Sequence, residues 1–365
     1  MKTEVVLSEL GIVCSIGNDK QQVLNNLVAK ERSALTESDQ YYYCGKVKVG
    51  QVKATLPSLE EYPSHYQSRN NALAKLAYEQ IKHSIEKIRN KVSAQRIGII
   101  IGTSTSSINE GEKARQELLE TGHYSPGYHY HKQEFVAPAN FIAKLVGGVD
   151  SLCKLTLNGF SAIASTSDDL CQPFSKNRDG INIGEAAALF LMCKADLDND
   201  KMAISLLGTG ESSDAHHISA PHPEGEGAAI AIEQAIISAN ISRDDVDYIN
   251  LHGTGTPLND LMEAKALIKV FNSPPLVSST KSITGHTLGA AGALEVGFCW
   301  LLLSQYNNEN LLPIHHFDGE YDDEIPALSL VSKENIKSHK INICMSNSFA
   351  FGGSNACVII GKTSE

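Results

Sequence analysis

The chain has no pair of cysteines spaced as CxxC, although it holds eight, at positions 14, 44, 153, 171, 193, 299, 344 and 357. That scatter excludes a zinc ribbon, argues against a disulfide framework and fits a reducing compartment, so a cytoplasmic location is expected. No apolar run reaches the ~18 residues that a membrane-spanning helix needs. The opening MKTEVVLSELGIVCSIG lacks a charged segment followed by a long apolar core, and so does not read as a signal peptide. Positive charge is not in excess either. Lys and Arg number 31 against 42 Asp and Glu, a net charge of −11, which leaves no electrostatic footprint for nucleic acid. The densest basic run, KHSIEKIRNK at 82–91, reads as the solvated face of a helix. Nothing in the chain resembles a phosphate loop or a dinucleotide fingerprint.

What is present is a long α/β pattern. At 365 residues the chain exceeds the usual single-core size, so two domains or two fused halves are expected. RIGIIIG (96–102), VDYINLHG (246–253) and KINICMSNSF (340–349) read as buried strands, while 69–88 and 225–241 carry helical spacing of apolar residues. The alternation predicts a layered α/β architecture. Two local patterns occur twice and in the same order. VVLSELGIVCSIG (5–17) matches AISLLGTGESSD (203–214), and RIGIIIGTSTSSINE (96–110) matches VDYINLHGTGTPLND (246–260). This repetition predicts an internal duplication with a boundary near 195–202, giving halves 1–200 and 201–365.

The two halves are not equally complete. After its GTGT turn the second runs through STKSITGHTLGAAGALEVGFCWLLL and closes on NICMSNSFAFGGSNACVII. The first has its GTSTSS turn and a helix-like PANFIAKLVG (138–147), then passes directly to GGVDSLCKL. A strand and turn matching NICMSNSF, with a helix behind them, are expected there and lacking. At ordinary element lengths they amount to roughly 30–40 residues. The seam falls at Leu145-Val146-Gly147.

Three segments concentrate polar groups at strand ends, where open α/β sheets build their sites. They are LHGTGTPLND with His252, STKSITGHTLGAAG with Lys281 and His286, and NSFAFGGSN with Phe349 and Phe351 ahead of a Gly-Gly pair. Neutral histidines can donate hydrogen bonds to a developing oxyanion, which suits enolate or acyl-transfer chemistry.

In order and spacing, HGTGTPLND, TKSITGHTLGAAGALE and NSFAFGGSN resemble the signatures of β-ketoacyl-acyl-carrier-protein synthases of the thiolase-like superfamily. RDGINIGEAA (178–187) and SDAHHISAPHPEGEG (213–227) fit the same family, and GGVDSLCKLTLNGF is similar to ketosynthases of aryl-polyene pigment clusters. The resemblance implies an αβαβα fold from two pseudo-repeated halves and decarboxylative Claisen condensation of malonyl-carrier protein with an acyl thioester, in fatty acid or polyketide biosynthesis. It implies no cofactor, since substrates ride on the phosphopantetheine of acyl-carrier protein. The implied partners are that carrier and a second ketosynthase chain, as homodimer or heterodimer. An acidic carrier would need a local Lys/Arg cluster on this anionic protein, and Lys87, Arg89 and Lys91 are the candidates.

By the same resemblance His252 and His286 match the family's two histidines, and Lys281 the lysine that organises the site. Glu295 matches its buried acidic partner, Thr254 and Thr256 the threonines on the pantetheine arm, and Phe351 the gating phenylalanine beside Phe349. The histidine-rich run 216–222 matches a structural loop rather than a metal site. One feature departs. The family's nucleophilic cysteine sits in a TACSSG-like turn, and no such segment exists here. Family members carry it between the counterparts of PANFIAKLVG and GGVDSLC. Cys153 lies beyond that point, between Leu152 and Leu155, and reads as a packing residue. The alternative function is therefore a non-condensing partner, like the chain-length factors that pair with an active ketosynthase.

Overall fold

The computed structural model describes residues 4–32, 35–125, 127–142, 146–197, 203–337 and 340–362. Its strands are β1 (Val5–Cys14), β2 (Thr36–Ser38), β3 (Val47–Val49), β4 (Ile100–Gly102), β5 (Val146–Asp150), β6 (Ala186–Lys194), β7 (Ile204–Ser213), β8 (Tyr248–Asn250), β9 (Leu276–Ser278), β10 (Ile343–Phe349) and β11 (Ser354–Lys362). The helices are α1 (Lys20–Leu27), α2 (Arg69–Glu79), α3 (Lys82–Arg89), α4 (Ile108–Thr121), α5 (Ala137–Phe141), α6 (Lys154–Ala162), α7 (Glu226–Ala239), α8 (Pro257–Val270), α9 (Lys281–Thr284) and α10 (Ala291–Leu303).

Nine strands form one mixed sheet in the order β4-β5-β6-β1-β7-β11-β10-β8-β9, while β2 and β3 form a separate ribbon. The repeat read from the sequence reappears as a repeat of lanes. β1-β6-β5-β4 and β7-β11-β10-β8 follow the same order, with the same two antiparallel pairs followed by a parallel one. β9 then extends the second set in parallel beside β8. Among the described residues the first set has no equivalent strand beside β4.

This corrects the expectation that a partner of NICMSNSF is missing. That partner is β5, which occupies the lane equivalent to β10. The unmatched elements of the second set are β9 and the helix after it. Leu145, on the predicted seam, lies outside the described residues.

Apart from Glu295, the helix α10, AGALEVGFCWLLL, is apolar on every side, as a helix enclosed by protein must be. It packs against β5, β6 and β1 and also against β10 and β11. In a flat sheet β5 and β10 would stand about 24 Å apart at ~4.8 Å per lane. A helix of ~10 Å diameter could not touch both, so the sheet folds around α10. α2 covers the first set from outside, and α7 the second. The resulting succession is helix, sheet, helix, sheet, helix. One cluster unites Leu10, Ile12, Phe190, Leu294, Phe298 and Cys344 around α10.

The helical pattern over 69–88 is broken into α2 and α3. Gln80 explains the break, because its side-chain amide is committed to β1: Nε2 donates to the Ile12 carbonyl at 2.9 Å, and Oε1 accepts from the Ile12 N–H at 3.2 Å. RIGIIIG contributes only its last three residues to β4.

Candidate active site

His252 follows β8, and its turn is built by carboxylates from α8. Glu263 accepts the His252 N–H at 2.9 Å on one oxygen and the Gly253 N–H at 2.7 Å on the other. The Asn347 side chain, on β10, donates to the same carboxylate at 3.2 Å. Asp260, one turn earlier, accepts the Gly255 N–H at 3.1 Å and the Phe174 N–H at 2.8 Å, tying the Gly-Thr-Gly-Thr turn to the stretch that leads into the RDG segment. Burial raises both carboxyls, Asp260 to about 7. Gly255 has φ +78°, and a Cβ there would stand 2.9 Å from the Gly180 carbonyl, so the turn requires glycine.

His286 arrives from the other direction, after β9 and α9. Its backbone is clamped to the RDGINIGE segment: its N–H donates to the Asn182 carbonyl at 2.7 Å, and its carbonyl accepts from Gly184 at 2.9 Å. Leu288 takes up φ +51°, a left-handed conformation costly for leucine, and so turns its N–H toward His286 Nδ1 at 3.2 Å. Nδ1 is therefore an acceptor, and Nε2 carries the ring proton. The two imidazoles stand 5.3 Å apart, edge to face, with the Phe349 ring 6.1 Å from His252.

Lys281 opens α9 and is buried against Glu295 of α10, its ammonium ion-paired with that carboxylate. Burial lifts the Glu295 carboxyl to about 7 although Lys281 opposes the rise. Burial, the Lys281 charge and His286 hold His252 well below the ordinary histidine range; burial and Lys281 bring His286 down to about 3. Both rings are neutral at pH 7. Among the described residues, His252 Nδ1 is buried without a hydrogen-bond partner.

Six of the residues picked from the sequence line one cavity of about 370 Å³: His252, His286, Thr254, Thr256, Phe349 and Phe351. The two threonine hydroxyls are 2.8 Å apart. Phe351 is 41% exposed at the mouth and leans on Phe160 of α6, with ring centroids 5.9 Å apart. Lys281 and Glu295 lie behind the cavity wall. The first strand set reaches the cavity through Ser104, just past β4. There the turn before α10 comes so close that a Cβ on Gly289 would stand 2.5 Å from the Ser104 nitrogen.

Cys153 is not among the lining residues. It is buried at the start of α6, with Sγ 3.3 Å from the Thr156 hydroxyl, and burial pushes its thiol up. Leu152 is buried beside it, whereas Leu155, the other flanking leucine, is 60% exposed. In the histidine-rich run, His216 and His222 meet edge to face at 5.1 Å, and Ile218 accepts the Gly352 N–H, which docks this loop on the Gly-Gly hairpin.

Sequence reasoning missed Asp260, Glu263 and Asn347. The available signal was a pair of acidic residues three apart on a helix that opens directly after the histidine turn.

Residues 204–317 match the family described as beta-ketoacyl synthase, C-terminal domain. A 3-oxoacyl-[acyl-carrier-protein] synthase 2 of Staphylococcus aureus (strain COL) is 29% identical over 417 residues, covering 98% of each chain. The protein of the same name from Coxiella burnetii (strain RSA 493 / Nine Mile phase I) is 29% identical over 417 residues, covering 99% of each. Both alignments are longer than this chain's 365 residues, so these relatives carry residues with no counterpart here. A solved structure described as a ketosynthase (ApeO) in complex with its chain length factor (ApeC) from Xenorhabdus doucetiae matches at 37% identity and a TM-score of 0.91, over 99% of this chain and 98% of that one. With this fold, this paired-histidine cavity and these relatives, the chain belongs to the β-ketoacyl-acyl-carrier-protein synthase family.

Proposed function

We propose that the cavity binds a malonyl thioester carried on the phosphopantetheine of acyl-carrier protein and stabilises the enolate formed when the malonyl carboxylate leaves as carbon dioxide. The observation that carries this reading is the pair of neutral imidazoles, 5.3 Å apart, at one cavity wall. In the step, the C–C bond to the carboxylate breaks and its electron pair passes into the thioester, leaving negative charge on the thioester oxygen. A neutral Nε2–H, as on His286, can donate a hydrogen bond to that oxygen, and a fixed donor of this kind is the form of charge stabilisation a buried site supplies best. Thr254 and Thr256 offer hydroxyls to the pantetheine amides, and Phe351 with Phe160 narrows the mouth.

In the family reaction the enolate carbon then attacks an acyl thioester held on a cysteine, in fatty acid, polyene or polyketide assembly. Among the described residues no cysteine lines this cavity. Protonation of the enolate to an acetyl thioester is therefore the outcome for this chain acting alone. Incubation with malonyl-carrier protein should release carbon dioxide and leave acetyl-carrier protein, and His252→Ala should slow this at least a hundredfold. Equal rates in the variant would exclude the reading.

The cavity's lack of a cysteine favours a second reading, a non-condensing subunit paired with an active ketosynthase, as in the ketosynthase and chain length factor complex it resembles. Native mass spectrometry separates the two assemblies, with a homodimer expected for an independent enzyme and dependence on a related chain for a subunit. We place the protein in the cytoplasm and its carrier at the Lys87, Arg89 and Lys91 face; among the described residues no helix is long and apolar enough to cross a membrane. The two strand sets correspond in this reading to halves 1–200 and 201–365.

A further inference from the structure

The proton on His286 depends on a turn that the second half of the chain does not hold by itself. Nδ1 accepts the Leu288 N–H at 3.2 Å only because Leu288 stands at φ +51°, a conformation that leucine keeps when its surroundings impose it. The next N–H along the chain, that of Gly289, donates to Asp150 Oδ2 at 2.7 Å. Asp150 ends β5, in the other strand set, 139 positions earlier in the sequence.

Asp150 is buried, and among the described residues every group that reaches its carboxylate is a donor. On Oδ1 these are the Thr103 hydroxyl at 2.6 Å, the Thr105 N–H and hydroxyl at 2.8 Å each, and the Ser104 N–H at 2.9 Å. The Ser104 N–H is shared with Oδ2, also at 2.9 Å, where Gly289 is the other donor. One carboxylate thus joins the turn after β4 to the turn after His286. The strands are shaped for that approach. A Cβ on Gly148 of β5 would stand 3.0 Å from the Gly289 carbonyl oxygen, and one on Gly102 of β4 3.2 Å from the same atom. Ser104, Leu288 and Gly289 line the cavity beside His286, and Asp150 stands directly behind them.

We propose that Asp150 is a positioning residue for His286: by holding the Gly289 N–H, its carboxylate keeps Leu288 left-handed and so fixes the imidazole with its proton on Nε2. The effect on rate rests on the decarboxylation reading; the effect on the ring does not. Without this anchor Leu288 relaxes to negative φ, its N–H turns away, and Nδ1 is free to carry the proton. Nε2 is then an acceptor, which repels a developing oxyanion instead of stabilising it. Asparagine at this position separates the two jobs of the carboxylate. Its amide has one acceptor oxygen and a donor NH2. The four donors on Oδ1 retain the oxygen, so the NH2 is left facing the Gly289 N–H, donor against donor.

The test is nuclear magnetic resonance of the full-length protein with nitrogen-15 histidine, the His286 signals being those that His286→Asn removes. The wild-type ring should be the Nε2–H tautomer, and Asp150→Asn should convert part of it to Nδ1–H. The same variant should lower kcat for carbon dioxide release about tenfold or more, with KM changed less than about threefold. Thr105→Val is the control, since it removes a donor from Asp150 and leaves the Gly289 bond. It should lower the melting temperature while the tautomer stays Nε2–H and kcat stays within about twofold. Adding Leu288→Gly to Asp150→Asn should restore the Nε2–H form, because glycine adopts positive φ freely. One measurement needs no variant: the Gly289 amide should exchange with solvent about a hundredfold or more slower than in an unstructured peptide. Four results would each overturn the proposal: an unchanged ring in Asp150→Asn, equal effects of Asp150→Asn and Thr105→Val, a double variant that stays mixed, or an unprotected Gly289 amide. Absence of carbon dioxide release by the wild type would instead end the decarboxylation reading, with the tautomer comparison still deciding the role of Asp150.

Discussion

At the scale of the residue, the site depends on where protons rest. His286 Nδ1 accepts the Leu288 N–H, and the nearby Lys281 charge helps burial keep both rings neutral. Decarboxylation should therefore show no acidic limb between pH 6 and 7 from these histidines, which a profile of carbon dioxide release against pH would reveal. Stability behaves differently. The folded pKa of His286, about 3, lies below the ordinary value near 6.5. The unfolded chain takes up a proton that the folded one refuses as pH falls through that window, so this contribution is present above 6.5 and is lost toward 3. Asp260 and Glu295, raised to about 7, act in the opposite sense between roughly 4 and 7. The difference in denaturation midpoint between wild type and His286→Asn isolates the histidine and should shrink steadily from pH 6.5 to 4. Glu263→Gln makes a separate test, because glutamine cannot accept both the His252 and Gly253 N–H groups as the carboxylate does. A loss of about 1–3 kcal/mol is expected from the orphaned donor, seen as a lower melting temperature and a fall in kcat larger than the change in KM.

At the scale of the element, α10 matters most. Phe298 is fully buried in the cluster that joins both strand sets, and Phe298→Ala should cost about 3–5 kcal/mol. Urea denaturation would check this, with one cooperative transition expected because both sets share the helix. Element types were readable in the sequence where apolar runs were long. AGALEVGFCWLLL could hardly be anything but an enclosed helix, and KINICMSNSF and the Gly-Thr turns located β10, β4 and β8. Their ends were not readable, because those are set across space. Gln80 divides 69–88 through its bonds to Ile12, 68 residues away in the chain. RIGIIIG yields three strand residues, the three that pair with Val146, Gly147 and Gly148 of β5.

At the scale of the whole molecule, the duplication was legible because strand and turn chemistry repeat with similar sequence. Assigning what the first set lacks required the lane order, since a short Val-Gly-Gly-Val-Asp strand carries no sign that it is the partner of β10. His252 and His286, 34 positions apart in sequence, were found from their turns. Glu263 and Asn347 were not, because a carboxylate that holds a backbone turn looks like any other helix carboxylate until its partners are placed. Cys153 tests the assembled picture: Cys153→Ala should leave decarboxylation within twofold of wild type, as befits a thiol packed at the start of α6 and away from the cavity.

The shared helix also orders events in time. Leu10 and Ile12 leave the ribosome about 280 residues before the start of α10, which they pack against, and Phe190 leaves it about a hundred residues before. At ~5–20 residues per second that is roughly 5–20 s during which one face of the first strand set has nothing to cover it. The earlier part of the chain waits on the later part, so a nascent chain halted near residue 200 is a client for a chaperone rather than a folded domain. A fragment ending there should bind an apolar dye such as ANS strongly and unfold without a cooperative transition.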